Sequence, residues 1–357
     1  MKKKIAFFTG NLDIGGIERA IISYVNNIDY DKYDVTLFLE KMEGAYLDEI
    51  NKNVHIVNFD LCSSRNVLLR KIKNLGKLIR FSLKYYHQFD FAANFKSTIK
   101  SGAILSKRFS SNNAFWIHGH YYHTKEEQEL FLKKYKIKKY KKMVFVSNRL
   151  KNEYQELFPD NKQELYVINN PIDFNDVLKK SKEKVAIKKK RLTLINVGRH
   201  SEEEKNLSML FRVVKRLVND GYKFDLWLIG SGPDTDSYKK LVNDLKINNY
   251  VKFLGFSKNV YPYYKMGDVV LLTSYAEGNP VVFLETKILN TPIISTDVSD
   301  AKIDLNGYGI VTDNNEDSYY RALKSFLDNG YEIKEKFDAT ENNEITMKKL
   351  YQMIGRW

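Results

Sequence analysis

Glu277 and Glu285, the two carboxylates of AEGNPVVFLE, stand eight positions apart. Carboxylates that flank one bond can act as acid and base, so their separation decides what chemistry they could share. Were the stretch wholly helical, the two would lie about 12 Å apart at about 1.5 Å of rise per residue. A retaining glycosidase pair needs about 5–5.5 Å and an inverting pair about 6.5–9.5 Å. Pro280 suits the first turn of a helix, which leaves Glu277 and Gly278 in the loop before it and Glu285 on the helix. Such a pair can grip two ends of one ligand, and it makes a poor acid/base couple.

Candidate partners for that ligand lie upstream. In NVGRHSEEEKNLSMLFRVV, Arg199 and Lys205 flank the expected start of a helix. A diphosphate held without a metal needs two or more fixed cations, and one Arg with one Lys can supply them. Either residue alone reads as a solvated loop charge. In TGNLDIGGIERA, Gly15 and Gly16 precede a helix whose first turn carries Glu18. Two glycines let a backbone approach a phosphate, and the helix N-terminus offers amide donors. The loop is neither G-x-G-x-x-G nor a P-loop, so a plain tight turn stays equally open. Gly230 and Gly232, in WLIGSGPD, either shape a turn or line the same crevice.

Positioning these groups takes a scaffold of strands and helices. Short apolar runs alternate with longer helical patterns, the mark of a parallel α/β sheet. Strands are predicted at Lys4–Gly10, Tyr33–Glu40, Asn53–Phe59, Asn113–Gly119, Lys142–Ser147 and Glu164–Asn170. A lysine-rich passage opened by Pro171 reads as a linker, after which strands restart at Leu192–Arg199, Phe224–Gly232, Tyr250–Phe256, Asp268–Ser274 and Thr291–Asp297. Two consecutive α/β domains with a cleft between them follow, with ligands expected outside the carboxyl ends of the strands.

Composition limits the alternatives. The 357 residues are 43% hydrophobic with no low-complexity tract, which excludes a disordered chain. The single cysteine, Cys62, excludes an intramolecular disulfide and fits a reducing compartment. The apolar run after MKKK is too short for a signal peptide, and no run approaches the ~18–20 residues of a membrane span. The expectation is a cytoplasmic protein. Its net charge of +14 is uneven: residues 51–150 hold 21 Lys and Arg against 5 Asp and Glu, while residues 201–357 hold 20 against 23.

Taken in order, the Gly-Gly loop, GRHSEEEKN, and the two glutamates of EGNPVVFLE resemble glycosyltransferase family 4, the retaining nucleotide-sugar enzymes of the GT-B fold. VINNPID, VKFLGF and YYKMGDVVLLTSYAEGNP support the likeness, which runs from about residue 4 to about residue 330. The resemblance implies two Rossmann-like domains facing across a deep cleft. The first, 1–172, would bind the acceptor, with 336–357 packing back on it; the second, 173–335, would bind the donor. Gly15 and Gly16 would lie against the donor phosphates, and Arg199 and Lys205 would neutralise the diphosphate leaving group. Glu285 would bind the ribose hydroxyls. Glu277 would sit by the transferred sugar, whose hydroxyls the backbone of Gly278, Asn279, Pro280 and Val281 would also meet. His118 in FWIHGH matches the family's histidine near the anomeric centre. The implied activity is retaining transfer from an NDP-sugar, with UDP as the expected nucleotide, to a glycan or lipid-linked acceptor of a bacterial surface polysaccharide such as capsule. Teichoic-acid or glycolipid synthesis, or a non-catalytic sugar-nucleotide binder of the same fold, are the alternatives. The resemblance implies no cofactor and no metal.

The likeness has gaps. The family often carries Gly-Gly-x-x-Glu after the TPIIST strand, where this chain has DVSDAKIDL, and Thr286 stands where alanine is usual. His118, His120 and His123 form H-x-H-x-x-H, but a zinc reading lacks a cysteine or carboxylate cluster around it.

The basic region 65–142 carries the remaining signal. In RNVLLRKIKNLGKLIRFSLKYY, Leu68, Ile72, Leu75, Ile79 and Leu83 share a helical face, with Arg70, Lys73, Lys77, Arg80 and Lys84 roughly opposite. FLKKYKIKKYKKM adds seven lysines with interleaved tyrosines. Either the apolar face packs on the domain sheet beneath a solvated basic face, or the region meets an anionic membrane from the cytoplasmic side. Nucleic acid is disfavoured, since no binding module accompanies the charge.

Overall fold

The computed structural model describes residues 1–61, 65–119 and 125–355, and divides into two compact units. The first comprises Met1–Ile172 with the chain from Glu341 onward, and the second is Asp173–Thr340.

In the first unit the chain runs β1 (Lys3–Thr9), α1 (Gly16–Asn27), β2 (Tyr33–Leu39), β3 (His55–Asn58), α2 (Val67–Lys84) and β4 (Phe91–Asn94). It continues α3 (Lys100–Phe109), β5 (Asn113–Ile117), α4 (Lys125–Tyr135), β6 (Lys142–Phe145), α5 (Asn148–Leu157) and β7 (Glu164–Val167). The seven strands form a parallel sheet in the order β3-β2-β1-β4-β5-β6-β7. Helices cover both faces, so neighbouring residues of β1 enter different cores. Phe7 meets Phe91, Phe95 and Trp116 edge-on. Phe8, on the other face, stacks on Phe38 at 4.8 Å and packs against Phe109.

The second unit runs α6 (Phe174–Lys180), β8 (Thr193–Val197), α7 (Glu202–Lys205), α8 (Leu207–Asn219), β9 (Asp225–Ile229), α9 (Thr235–Asp244) and β10 (Val251–Gly255). Then follow α10 (Tyr261–Met266), β11 (Val269–Leu272), α11 (Val281–Leu289), β12 (Ile293–Thr296), α12 (Ala301–Asp304), β13 (Gly309–Thr312) and α13 (Glu316–Asn329). Its six parallel strands are ordered β10-β9-β8-β11-β12-β13. The last helix, α14 (Ala339–Ile354), packs on the first unit. Tyr351 stacks on Tyr33 at 4.9 Å, and the buried Lys142 ammonium donates to the Met353 carbonyl, a cation at a helix C-terminus.

Two sequence expectations are corrected by the fold, and one open alternative is decided. Strands β4 and β13 are additions to the expected set: FAAN carries two alanines and an asparagine and GIVT opens on a glycine, residue types that are depleted in strands. The stretch read as a linker contains α6, capped by the Asp173 carboxylate on the Asp176 amide at 3.0 Å and anchored by buried Val177. The alternative concerns α2. Leu78, Phe81 and Tyr85 pack onto the core, while Leu68, Ile72, Leu75, Ile79 and Leu83 face outward. Of the two alternatives for the apolar row, packing on the sheet is therefore excluded, and the row is exposed. Among the described residues, no helix is long and apolar enough to cross a membrane.

Candidate active site

In an open parallel sheet, ligands bind where the strand order reverses, outside the carboxyl ends of the two central strands. In the second unit that point lies between β8 and β11. The loop after β8 carries Arg199 and leads into α7, which ends at Lys205; Asn206 then turns the chain into α8 through a left-handed conformation, φ 50°. The loop after β11 carries Ser274, Glu277 and Gly278. Backbone contacts stitch the two loops together. Thr273 Oγ1 donates to the Lys205 carbonyl at 2.8 Å, and the Tyr275 amide donates to the Glu204 carbonyl at 3.0 Å.

Their side chains then meet. Lys205 Nζ lies 2.5 Å from Glu277 Oε1, and Ser274 Oγ donates to that same oxygen at 2.7 Å. Among the described residues, Glu277 Oε2 has no hydrogen-bond donor. One edge of the carboxylate is thus neutralised and the other is left to accept. The Gly278 carbonyl accepts from Ser299 Oγ at 2.6 Å, and the Ser274 carbonyl accepts from Thr296 Oγ1 at 2.7 Å. Ser299 belongs to DVSDAKIDL, so this divergent loop supports the turn that bears Glu277.

Pro280 is the N-cap of α11, one position before the first turn where the sequence reading had it. Asn279 precedes it and Val281 opens the helix, whose first amides have no partner four residues back. Glu285 lies one turn further on, buried, with the Tyr264 hydroxyl of α10 hydrogen-bonded to it. Burial, then the Glu285 charge, drives the Tyr264 hydroxyl well above the usual tyrosine range, so it stays a donor. Arg199 is exposed, and its side chain pairs with no carboxylate among the described residues. Gly230 and Gly232 press the loop after β9 against the loop after β8. A Cβ on Gly230 would lie 1.9 Å from the Gly198 carbonyl oxygen, and one on Gly232 2.3 Å from that of His200. The lack of a side chain at both positions is what lets the two loops meet.

In the first unit the strand order reverses between β1 and β4. Gly15 ends the loop after β1 as the extended N-cap of α1, and Gly16 opens that helix. A Cβ on Gly15 would lie 2.4 Å from Glu18 Oε2, whereas one on Gly16 would meet nothing within 4 Å. Gly16 therefore leaves open space at the helix N-terminus. Across the reversal, Lys96 in the loop after β4 reaches Glu18 Oε1 at 2.5 Å. Lys96 was missed because the strand that delivers it was missed; no motif in the linear sequence marks it.

His118 follows β5 and is buried, its ring 4.5 Å from that of Phe95. Burial pushes its pKa down to about 3 from 6.5, opposed by a hydrogen bond to the Phe95 backbone and assisted by the Lys96 charge. Nε2 has no partner among the described residues, so a neutral imidazole presents one unused nitrogen. His120 and His123 lie outside the described residues. Unfolding should expose the titration of His118. The unfolded chain takes up a proton below about pH 6.5, whereas the folded unit resists until about pH 3. The stability gained by keeping the ring neutral is full above that range and lost as pH falls through it. Thermal unfolding midpoints should therefore decline from pH 7 to pH 5, and His118→Gln should flatten that decline. An equal slope in the variant would reject the assignment.

The structure thus gathers Arg199, Lys205, Glu277, Gly278, Asn279, Pro280, Val281 and Glu285 around the strand reversal of the second sheet. Gly15, Gly16 and His118 gather at the corresponding end of the first. Residues 14–176 match the family model described as Glycosyltransferase Family 4, and residues 178–344 match that described as Glycosyl transferases group 1. A Haemophilus influenzae protein described as an uncharacterized glycosyltransferase is 25% identical over 351 residues, covering 92% of this chain and 91% of its own length. The amylovoran biosynthesis glycosyltransferase AmsD of Erwinia amylovora is 23% identical over 337 residues, 88% of each chain. The crystal structure of Anabaena HepE in complex with UDP and glucose superposes with a TM-score of 0.71 over 98% of this chain and 99% of its own, at 16% identity. Two reversing parallel sheets of this order, matched in succession by these two family models, make the chain a member of glycosyltransferase family 4 with the GT-B fold.

Proposed function

We propose that the protein is a retaining, metal-independent glycosyltransferase that moves a hexose from a nucleoside-diphosphate sugar, UDP being the nucleotide, to a hydroxyl of a glycan or lipid-linked acceptor. The observation that carries the reading is the Lys205–Glu277–Ser274 cluster at the strand reversal of the second unit, beside the N-terminus of α11. The UDP and glucose bound by HepE, a protein of the same fold, support the donor class. A relative named for amylovoran biosynthesis supports a surface-glycan acceptor of capsule type. Donor binding falls to the second unit and acceptor binding to the first.

In this mechanism the anomeric carbon–oxygen bond breaks toward the diphosphate, leaving negative charge there and positive charge on the sugar ring. Arg199, Lys205 and the amides of Gly278, Asn279 and Val281 receive the first charge without reorganising. The acceptor hydroxyl attacks the face from which the diphosphate departs and passes its proton to the departing phosphate oxygen. Glu277 Oε2 accepts from a sugar hydroxyl and holds the ring in register. Glu285 takes the ribose hydroxyls, and the neutral His118 accepts from a hydroxyl near the anomeric carbon. Gly15 and Gly16 give the phosphates room to approach. The enzyme works in the cytoplasm at an anionic membrane surface, reached through the basic region 65–142.

Incubation with a panel of nucleotide sugars and a lipid-linked acceptor tests this reading. Release of nucleoside diphosphate with an α-product from an α-donor is expected, and EDTA should leave the rate unchanged. No diphosphate release from any pair would leave only a binding protein. Glu285→Ala should raise the donor Kd by about tenfold, in line with loss of a hydrogen-bonded charge, with a smaller change in turnover. Unchanged donor affinity in isothermal titration would remove Glu285 from the ribose.

A further inference from the structure

The membrane reading rests on a region of charge 78 residues long, and charge alone names no contact. The two halves of that region are built differently. In FLKKYKIKKYKKM the tyrosines Tyr135 and Tyr140 are buried and Lys142 is buried with them, so the remaining lysines are a solvated cover over core. Helix α2 is organised into three faces. Leu78, Phe81 and Tyr85 hold it on the sheet. Leu68, Ile72, Leu75, Ile79 and Leu83 form a second row, and each of these side chains is 51% to 74% exposed. At about 100° per residue, Arg70, Lys73, Lys77, Arg80 and Lys84 form a third face roughly opposite that row, with Lys77 paired to Asp60 at 3.3 Å. The helix carries no acidic residue.

We propose that α2 is a membrane-inserting element that lies in the plane of an anionic leaflet, its leucine–isoleucine row in the acyl boundary and its basic face among the headgroups. The proposal deepens the membrane partner of the proposed function, though neither its geometry nor its test depends on sugar transfer. An apolar row with a basic face roughly opposite is the pattern of interfacial helices, and a contiguous exposed apolar row marks an interaction site. At about 1.5 Å per residue the helix is about 27 Å long, so the row is a line of contact rather than a point. Charge selects the occupant. A second copy of the chain would set two purely basic helices against each other. Nucleic acid would satisfy the cations and leave five apolar side chains in water. A protein that engulfs a helix on all sides is blocked, because the third face is already packed on the domain.

The full-length protein should co-sediment with vesicles of phosphatidylglycerol and phosphatidylcholine, and far less with phosphatidylcholine alone. Ile72→Asp with Ile79→Asp places two carboxylates in the row and should weaken partitioning at least about tenfold at both low and high salt. Arg70→Gln, Lys73→Gln and Arg80→Gln together should weaken it at low salt and flatten its salt dependence. All these side chains are exposed, so circular dichroism and the thermal midpoint should match the parent, which separates lost binding from lost folding. Parent-like sedimentation of the aspartate variant would overturn the proposal, as would equal binding of the parent to neutral vesicles. A parent dimer that the aspartates split, without vesicle binding, would assign the row to self-association instead. Vesicle binding needs no donor, so failure of sugar transfer would leave this result standing, and transfer to a water-soluble acceptor would survive failure here.

Discussion

Lys205→Ala should lower turnover by about 10²–10³-fold, the scale seen when one preorganised donor to a developing negative charge is removed. Two features of the structure set that expectation. The lysine stem is fixed at its root, since its carbonyl is held by Thr273, and at its tip by Glu277. Its charge is therefore in place before the sugar–phosphate bond breaks, which is what makes such a group effective. Removing it also changes Glu277. The carboxylate keeps the Ser274 hydroxyl but loses its counter-charge, and a carboxylate without one repels the diphosphate it stands beside. Steady-state kinetics with a fixed acceptor would measure the effect, and Lys205→Arg offers a control that keeps the charge while shifting its position. Turnover of the alanine variant within about threefold of the parent would take Lys205 out of the leaving-group role.

The second large effect is on folding. Gly230→Ala should destabilise the second unit by on the order of 2–4 kcal/mol, because strain and overlap act at one position. The backbone there has φ +146°, a region that side-chain-bearing residues rarely adopt. A Cβ would also fall 1.9 Å from the Gly198 carbonyl oxygen, so the loop after β8 would have to move with it. That loop carries Arg199 and leads to Lys205, so weaker donor binding should accompany the lost stability. Gly16→Ala is the contrasting case. Its Cβ would meet nothing within 4 Å, and a helix gains slightly when alanine replaces glycine. Urea denaturation of both variants should separate them clearly. A midpoint for Gly230→Ala equal to the parent would mean that the close approach of the two loops carries no stability.

The glutamate pair shows how far local spacing reaches. A proline between the two carboxylates predicts that one precedes a helix and the other rides on it, and α11 has that form. Proline's fixed φ acts over one or two residues, so the inference needed nothing distant. The partners of those carboxylates needed a great deal. Lys205 is 72 residues from Glu277, and Tyr264 is on a different helix from Glu285. Such contacts are set by which strands become neighbours. Lys96 makes the same point from the opposite direction. Without β4 in the reading, nothing placed its loop beside the first helix, and the ion pair with Glu18 could not be anticipated.

Helix α2 marks the limit most clearly. Its sequence has two apolar sets, one aliphatic and one aromatic, and a helical wheel ranks the aliphatic row as the core face. The aromatic set packs inward instead because it meets matching rings: Tyr85 lies 5.3 Å from Phe38 and 5.2 Å from Phe109, and Phe81 lies 6.1 Å from Phe59. By itself, then, the sequence determined the α/β class, the ordered motifs and the loop or helix placement of individual site residues, because period, proline and glycine act locally. Tertiary structure alone decided which cation pairs with which carboxylate and which face of α2 is left outside. Those outcomes depend on strand order and on shape complementarity between elements far apart in the chain.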